Sequence, residues 1–232
     1  MQNKCSYIDL GIAPYAKAWA VQEDFHRQLI QGCSVKQNNE SNTHRIIFCE
    51  HPHVFTLGKS GQENNLLIND DFLQKISATY FKTNRGGDIT YHGPGQLVGY
   101  PIINLNDLKI GVKKYIYLLE QSIIESLKEY SIDAERFDKG TGVWLDTRYP
   151  EKVRKICAIG VRLSRSVTMH GFALNANTDL SYFGYINPCG FKDKGVTSME
   201  RELGKKVDLD DLKNVVLKRI LYNLNLEIKE PK

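Results

Sequence analysis

One stretch of this chain differs from all the rest: Arg85-Gly86-Gly87-Asp88-Ile89-Thr90-Tyr91-His92-Gly93-Pro94-Gly95-Gln96-Leu97-Val98-Gly99-Tyr100-Pro101. Five of the fifteen residues from 85 to 99 are glycine. Glycine at this density lets the backbone pass close to another molecule or adopt positive φ. Polar side chains that can donate or accept protons stand between the glycines. The stretch is therefore predicted to line a functional site.

The middle of this stretch has the alternation of a β-strand. A strand over Ile89-Thr90-Tyr91-His92 would send Thr90 and His92 to the same face. The alternative interpretation is a tight hairpin that turns at Gly93-Pro94-Gly95.

Length and composition indicate an ordinary globular protein. At 232 residues the chain fits one domain over residues 1–232, and 41% hydrophobic with 25% charged residues is normal usage. The net charge is 31 − 27 = +4, and no Lys/Arg block resembles a nucleic-acid-binding arm. Five cysteines without a Cys-x-x-Cys pair argue against a disulfide framework or a zinc ribbon. We expect a cytoplasmic protein with no nucleic-acid partner, no membrane segment and no signal peptide.

Hydrophobic periodicity and capping residues predict a mixture of helices and strands. The last predicted helix has Asp208 as its cap, and a polar loop is expected over 34–44. Strands outnumber helices and do not alternate with them, so the fold class is α+β, a mixed central β-sheet with flanking helices. Helices are predicted over 14–32, 70–76, 112–130 and 208–224, and strands over 7–10, 45–49, 79–83, 97–105, 143–145, 155–163 and 167–174.

Cys189 is the strongest candidate for a nucleophile. Pro188 restricts its approach, and Gly190 lets a substrate carbonyl come near a backbone N–H, as an oxyanion requires. By contrast, Cys49 and Cys157 lie inside apolar strands, where inert buried thiols are the usual outcome.

A thiol at neutral pH needs a neighbour that helps it to ionise, and His92, His170 and Lys155 are the candidates. Lys155 begins an apolar strand, so its amine is predicted to be partly buried with a lowered pKa, which suits a proton carrier. An exposed lysine at the start of a strand is the alternative.

Several common signatures are missing from the sequence. It has no Gly-x-x-x-x-Gly-Lys-[Ser/Thr] phosphate loop, no Gly-x-Ser-x-Gly elbow and no His-Glu-x-x-His motif. His51 and His53 flank a proline without a third ligand nearby, so loop positions are favoured over a metal site. No metal and no cofactor are predicted.

The glycine-rich stretch closely resembles the signature of the lipoyl(octanoyl) transferase family. Glu50-His51-Pro52 and Thr56-Leu57-Gly58 precede it and also fit the family pattern. The resemblance covers residues 45 to 200 and continues, in order, through Gly142-Val143-Trp144-Leu145, Lys155-Ile156-Cys157-Ala158-Ile159-Gly160-Val161-Arg162, His170-Gly171-Phe172-Ala173-Leu174-Asn175, Asp179-Leu180-Ser181-Tyr182-Phe183, Ile186-Asn187-Pro188-Cys189-Gly190 and Val196-Thr197-Ser198.

This resemblance implies an activity, a fold and a set of site residues. Such enzymes move an octanoyl or lipoyl group from acyl carrier protein to a lysine on a lipoyl domain. The acceptors are the E2 subunits of 2-oxoacid dehydrogenases and the glycine cleavage H protein. By resemblance, Cys189 carries the acyl thioester and Lys155 lowers its pKa, on the fold of the biotin and lipoate protein ligase catalytic domain. The implied substrate contacts are Arg85, Gly86, Gly87, Asp88, Ile89, Thr90, Tyr91, His92, Ala158, Ile159, Gly160, Gly171, Phe172 and Ala173.

Two departures and three rival functions accompany this interpretation. His53 replaces a proline of the family pattern, and Cys157 replaces an alanine, which adds a thiol two residues from Lys155 and is expected to place it on the same strand face. The rivals are an ATP-dependent lipoate or biotin ligase on the same fold, a non-catalytic module that binds acyl or lipoyl proteins, and a thioester hydrolase.

Overall fold

The structure is a computed structural model that describes residues 3–34, 43–187 and 195–229. Its helices are α1 (Tyr15–Ser34), α2 (Asp70–Lys75), α3 (Val112–Glu129), α4 (Met199–Leu203) and α5 (Leu209–Asn223). Its strands are β1 (Asn3–Ile12), β2 (His44–Glu50), β3 (Val54–Leu57), β4 (Thr79–Lys82), β5 (Ile89–His92), β6 (Gln96–Ile102), β7 (Glu135–Phe137), β8 (Gly140–Leu145), β9 (Arg154–Ser164), β10 (Val167–Asn175), β11 (Gly195–Val196) and β12 (Leu226–Ile228).

The described strands form a large mixed sheet and a small one. The large sheet has the order β12-β1-β2-β6-β10-β9-β8-β7, with β11 added beside β9, and the small sheet has the order β4-β3-β5. Strands β12, β1 and β2 run parallel, whereas β2, β6, β10, β9 and β8 are successively antiparallel. The predicted α+β class with a mixed central sheet is confirmed.

The two faces of the large sheet are covered by different helices. In β2, Ile46 and Phe48 pack toward α3 and α5, whereas Ile47 and Cys49 pack toward α1. This alternation follows from the two-residue period of a strand. Because helices cover both faces, every residue of the central strands β6 and β10 is buried.

Local sequence signals account for where several helices begin. The Asp208 carboxylate accepts hydrogen bonds from the backbone N–H groups of Asp210 and Asp211, which confirms the predicted cap of α5. The Asn69 side chain caps α2 in the same way by accepting from Phe72 N–H. The predicted strands over 155–163 and 167–174 correspond to β9 and β10, which form an antiparallel hairpin with Val167 opposite Ser164.

The glycine-rich stretch connects the two sheets. Strand β5 belongs to the small sheet and β6 to the large one, so the alternative of a hairpin that turns at Gly93-Pro94-Gly95 is wrong. The turn is held from β2, because the Glu50 carboxylate accepts a hydrogen bond of 2.7 Å from Gly95 N–H. The stretch therefore crosses between the two sheets, and its residues line a cavity there.

Other differences from the sequence expectations concern short elements. Strands β3, β7, β11 and β12 were not predicted, because segments of two to four residues carry too little periodicity. The predicted strand over 97–105 ends at Ile102. Within the ranges that the structure describes, no helix is both long enough and apolar enough to cross a membrane.

Candidate active site

A cavity of about 580 Å³ lies between the two sheets. This volume is within the ~300–1,000 Å³ that is usual for small-molecule sites. Strands β5, β6, β9 and β10 wall the cavity together with the 3₁₀ helix Leu180–Tyr185. Much of the lining is apolar and suits a hydrocarbon chain: Ile89, Val98, Trp144, Ala158, Ile159, Phe172, Ala173, Leu180, Phe183 and Ile186.

The fold brings most of the residues that were predicted as substrate contacts to this cavity. Gly86 is not part of the lining, and Tyr91 is buried in the small sheet's own core. Thr90 and His92 both line the cavity, as strand alternation predicts. The predicted residues in the lining are Arg85, Gly87, Asp88, Ile89, Thr90, His92, Lys155, Ala158, Ile159, Gly160, Gly171, Phe172 and Ala173.

Arg85 brings a buried cation to the cavity wall. Its guanidinium donates to the Thr56 hydroxyl at 3.0 Å and to the Gly86 carbonyl at 3.1 Å. Burial lowers the pKa of Arg85, but a guanidinium stays protonated at any physiological pH. Within the described part of the chain Arg85 forms no ion pair, so its charge is available to an electron-rich group in the cavity.

His92 is a neutral member of a hydrogen-bonded chain that starts at Thr56. Burial holds the pKa of His92 well below its usual value, and the nearby His51 and Arg85 lower it further. The Gln96 amide nitrogen donates to Asn175 Oδ1 at 2.9 Å, so its oxygen accepts from His92 Nδ1 at 2.8 Å. His92 Nε2 is then an acceptor for the Thr56 hydroxyl at 3.3 Å. The imidazole is thus held in one tautomer.

The same chain continues from Asn175 to the strand that carries Lys155. Asn175 Nδ2 donates to the Thr197 carbonyl at 2.9 Å, and Thr197 N–H donates to the Lys155 carbonyl at 2.9 Å. Backbone and side-chain hydrogen bonds therefore connect the glycine-rich stretch to β9 across the cavity.

Lys155 has the environment that the sequence predicted. Its side chain is partly buried and lines the cavity, with Nζ 4.4 Å from the centre of the Trp144 ring. Burial lowers the pKa of Lys155 to about 8, the Cys157 thiol opposes this shift, and Arg85 adds to it. The amine can therefore gain or lose a proton near neutral pH, as a general acid and base requires.

Cys189 lies outside the described residues, which resume at Gly195. The flanking residues are informative, because Asn187 and Gly195 both line the cavity. Asn187 N–H donates to the Asn65 carbonyl at 2.8 Å, and Asn65 Nδ2 donates to Asp88 at 2.9 Å. Asp88 of the glycine-rich stretch thereby anchors the chain two positions before Cys189.

The thiols that the structure describes are poor nucleophiles. Cys5, Cys49 and Cys157 are free and buried. Burial raises the pKa of the Cys49 and Cys157 thiols, so both are protonated at neutral pH. Cys157 is fully buried and is not part of the cavity lining. The expectation that it shares a strand face with Lys155 is wrong, because the register shift in the β8–β9 pairing turns Cys157 toward the core with Val143.

His51 and His53 have structural partners. His51 bonds to the Ala13 carbonyl and to the Tyr100 hydroxyl, each at 2.7 Å. His53 stacks on Tyr182, with ring centres 4.2 Å apart, and bonds to the Tyr91 hydroxyl at 2.7 Å. Among the described residues no group of three or more His, Cys, Asp or Glu side chains is placed to hold a metal ion.

Some cavity residues were not identified from the sequence. Tyr15 comes from α1, its ring lies parallel to that of His92 at 6.2 Å, and nothing in its local sequence indicates this. Gln96 and Tyr100 stand inside the quoted stretch and could have been included. His170, a candidate thiol activator, also lines the cavity, and its Nε2 lies 2.7 Å from Asn84 Oδ1.

Gly171 sits where β10 and β6 approach too closely for a side chain. A Cβ at this position would lie 2.2 Å from the Gly99 carbonyl oxygen, which belongs to backbone and cannot move aside. We expect Gly171→Ala to lower the free energy of unfolding by about 2 kcal/mol. Urea unfolding measures this loss of stability. Gly184→Ala is the matched control, because Gly184 also lines the cavity but has open space around it. Equal stability of the two variants would contradict this prediction, since it would show that β10 and β6 can move apart to accept the added methyl group.

Comparison with known sequences places the chain among related catalytic domains. The family model described as the lipoyl protein ligase A/B catalytic domain matches residues 14–221. An octanoyltransferase of Bacteroides thetaiotaomicron is 55% identical over 210 residues, which are 90% of this chain and 91% of that protein. An octanoyltransferase of Flavobacterium johnsoniae is 47% identical over 233 residues, covering 98% of this chain and 100% of that protein.

Solved structures share the fold at low sequence identity. A lipoate-protein ligase A bound with ATP superposes with a TM-score of 0.73 at 14% identity, over 98% of this chain and 88% of that one. A bipartite lipoate protein ligase from Thermoplasma acidophilum superposes with a TM-score of 0.70 at 14% identity. The superposition covers 99% of this chain and 87% of that one. These likenesses confirm the predicted ligase-type catalytic fold.

Proposed function

Because the chain belongs to the lipoyl protein ligase A/B catalytic domain family, with octanoyltransferases as relatives over most of its length, we propose that it transfers an octanoyl group to a protein lysine through a thioester on Cys189. The chain is an acyltransferase. One observation carries the proposed route: Lys155, with its lowered pKa, shares a largely apolar cavity with Asn187 and Gly195, which flank the Cys189 segment in sequence.

The first half-reaction moves the acyl group onto the enzyme. Neutral Lys155 takes the proton from the Cys189 thiol, and the thiolate attacks the carbonyl carbon of the donor thioester. The new C–S bond forms as the bond to the carrier sulfur breaks, and Lys155 returns its proton to the leaving thiolate. One thioester replaces another, so the step is close to isoenergetic.

The second half-reaction moves the acyl group to the acceptor. The neutral amine of the acceptor lysine attacks the Cys189 thioester, and the C–N bond forms as the C–S bond breaks. Lys155 accepts the proton that the amine loses and gives it to the Cys189 sulfur. Conversion of a thioester to an amide runs downhill, so the route needs no ATP.

The polar residues of the cavity have positioning roles in this proposal. In this proposal the Arg85 cation polarises the thioester carbonyl. The neutral His92 imidazole, whose two nitrogens are occupied by Gln96 and Thr56, keeps the cavity wall in place. The apolar lining holds the acyl chain. Each methylene that leaves water contributes roughly 0.8 kcal/mol, so a wall of Ile159, Phe172 and Phe183 can favour a medium-length chain.

The partners are those that a thioester donor and a lysine acceptor require. We propose octanoyl-acyl carrier protein as the donor. The proposed acceptors are lipoyl domains of 2-oxoacid dehydrogenase E2 subunits and the glycine cleavage H protein. A cytoplasmic location is also a proposal, supported by the free thiols Cys5, Cys49 and Cys157.

Intact-mass spectrometry of the whole protein mixed with octanoyl-acyl carrier protein tests this route. Without ATP, we expect a mass gain of one octanoyl group that hydroxylamine removes, because hydroxylamine cleaves thioesters and leaves amides. A lipoyl domain added afterwards should take up the group. Transfer from free octanoate that requires ATP would instead establish the ligase alternative, and release of free octanoate without transfer would establish the hydrolase.

A further inference from the structure

Trp144 lies directly against the amine of Lys155. The two residues are paired across the antiparallel strands β8 and β9, and Lys155 Nζ is 4.4 Å from the centre of the Trp144 ring. Trp144 is only 1% exposed, and its indole N–H donates to the Gly140 carbonyl at 3.0 Å. The ring therefore has a fixed position and covers one side of the amine.

A buried carboxylate on the far side of the sheet holds the bend that precedes Trp144. Glu120, on α3, is 8% exposed and accepts a hydrogen bond of 3.0 Å from Gly142 N–H. It also forms an ion pair with Arg136 at 3.1 Å. Gly142 has a φ of +121°, and a Cβ there would lie 2.5 Å from the Cys157 carbonyl oxygen, so only glycine fits.

A shift of strand register beside this bend determines which residue faces Lys155. The pairing of β8 with β9 shifts register between Val143 and Trp144, immediately after Gly142. A register shift changes which side chains share a face of the sheet. Because of the shift Trp144 stands opposite Lys155, and Phe137 supports it with ring centres 5.2 Å apart.

The ring acts on the amine in two opposing ways. It excludes water, which favours the neutral amine, and its electron-rich face attracts the ammonium form. The charged and titratable groups that act on Lys155 are Cys157, on its own strand, and Arg85, from the glycine-rich stretch. Burial is the largest of the causes that lower the pKa of Lys155. We therefore expect exclusion of water by the ring to outweigh its attraction for the ammonium form.

We propose that Trp144 is a positioning residue for Lys155, which holds the amine at the cavity wall and shields it from water. This inference rests on the role of Lys155 in the proposed function. Trp144 need not touch the reacting atoms to have this role. The hydrogen bond from Gly142 N–H to Glu120 links the strand that carries Trp144 to α3.

The test measures the proton affinity of Lys155 itself, in the full-length protein. Labelling with an amine-reactive anhydride across a pH series, followed by peptide mass spectrometry, gives the pKa of Lys155 without reference to catalysis. In Trp144→Ala we expect the labelling midpoint to rise by about one pH unit toward the ordinary lysine value. Trp144→Phe keeps a ring in place and should stay within a few tenths of a unit of the unmodified protein.

Activity provides a second readout. Because fewer Lys155 amines would be neutral, Trp144→Ala should lower kcat about tenfold at pH 7, with little change in KM and with recovery at high pH. A purely structural defect would not recover as the pH rises. Phe25→Leu is the matched control, because it removes a ring that lies 5.1 Å from the Arg45 guanidinium and outside the cavity lining.

Each outcome decides for or against the proposal. An unchanged labelling midpoint in Trp144→Ala, or a loss of activity that is the same at every pH, would overturn it. If the alanine variant does not fold, Trp144→Leu fills more of the space and should show the same upward shift. If Lys155→Ala keeps full activity while the midpoint still shifts, the proposed function fails and the inference about Trp144 stands.

Discussion

Cys189→Ala is expected to abolish octanoyl transfer, with a loss of about 10³-fold or more, because the buried and protonated thiols of Cys49 and Cys157 are poor replacements for the nucleophile. The acyl adduct should disappear from the intact-mass spectrum of this variant. Overall stability should be unchanged, since a change from thiol to methyl alters little volume. Rates of acyl transfer from octanoyl-acyl carrier protein to a lipoyl domain measure the loss.

Cys157→Ala and Cys49→Ala are the matched controls for this experiment. Both remove a buried thiol whose raised pKa keeps it protonated, so both variants should still form the adduct. Cys157 is the sharper control, since it is two residues from Lys155 and raises the pKa of that amine. An adduct that persists in Cys189→Ala and disappears in Cys157→Ala would move the nucleophile to Cys157.

Lys155→Met is expected to slow both half-reactions by about 10²- to 10⁴-fold, the usual range for loss of a general acid–base group. Methionine keeps the length of the side chain and cannot carry a proton. With a pKa of about 8, roughly one Lys155 amine in ten is neutral at pH 7. At the ordinary lysine pKa of ~10.4, fewer than about one in a thousand would be neutral.

The pH dependence has a definite sign. A base acts only when it is deprotonated, so the rate should rise with pH up to about 8 and then level off. Lys155→Met should lose this rise, and Lys155→Arg should lose it too, because a guanidinium stays protonated. A rate profile of Lys155→Met that keeps its shape and height would remove Lys155 from the mechanism.

The three variants that test the cavity each change a different feature of it. Gly171→Ala changes the spacing of the strands, Trp144→Ala changes the water around the amine, and Lys155→Met removes the amine. Stability, the labelling midpoint and the rate are separate measurements, so the structural, positioning and chemical contributions can be told apart.

Much of the fold could be predicted because the signals for it are local. The cap of α5 depends on Asp208 and the next three residues, and the β9–β10 hairpin depends on two apolar runs with a short turn between them. Short strands such as β3 and β7 could not be predicted, since three or four residues do not establish a period. Tertiary pairing stabilises them.

The candidate site could be predicted where its residues lie in conspicuous motifs. The glycine-rich stretch, Lys155 and Gly171–Ala173 were identified, and the structure brings nearly all of them to one cavity. Tyr15 was missed because its approach to His92 depends on how α1 crosses the sheet. The predicted contacts also contain Tyr91, but its side chain lies in the core of the small sheet because strand alternation turns it away from the face of Thr90 and His92.

By itself, the sequence determined the family, the mixed α+β class, the helix caps and the identity of the nucleophile and base candidates, because motifs and short-range periodicity encode these features. Only the tertiary structure decided that the glycine-rich stretch crosses from one sheet to the other, and that Trp144 faces Lys155. It also decided which buried groups shift the lysine's pKa. The physical reason is that these features depend on contacts between residues far apart in the chain, and on a register shift between Val143 and Trp144 that strand alternation alone does not predict.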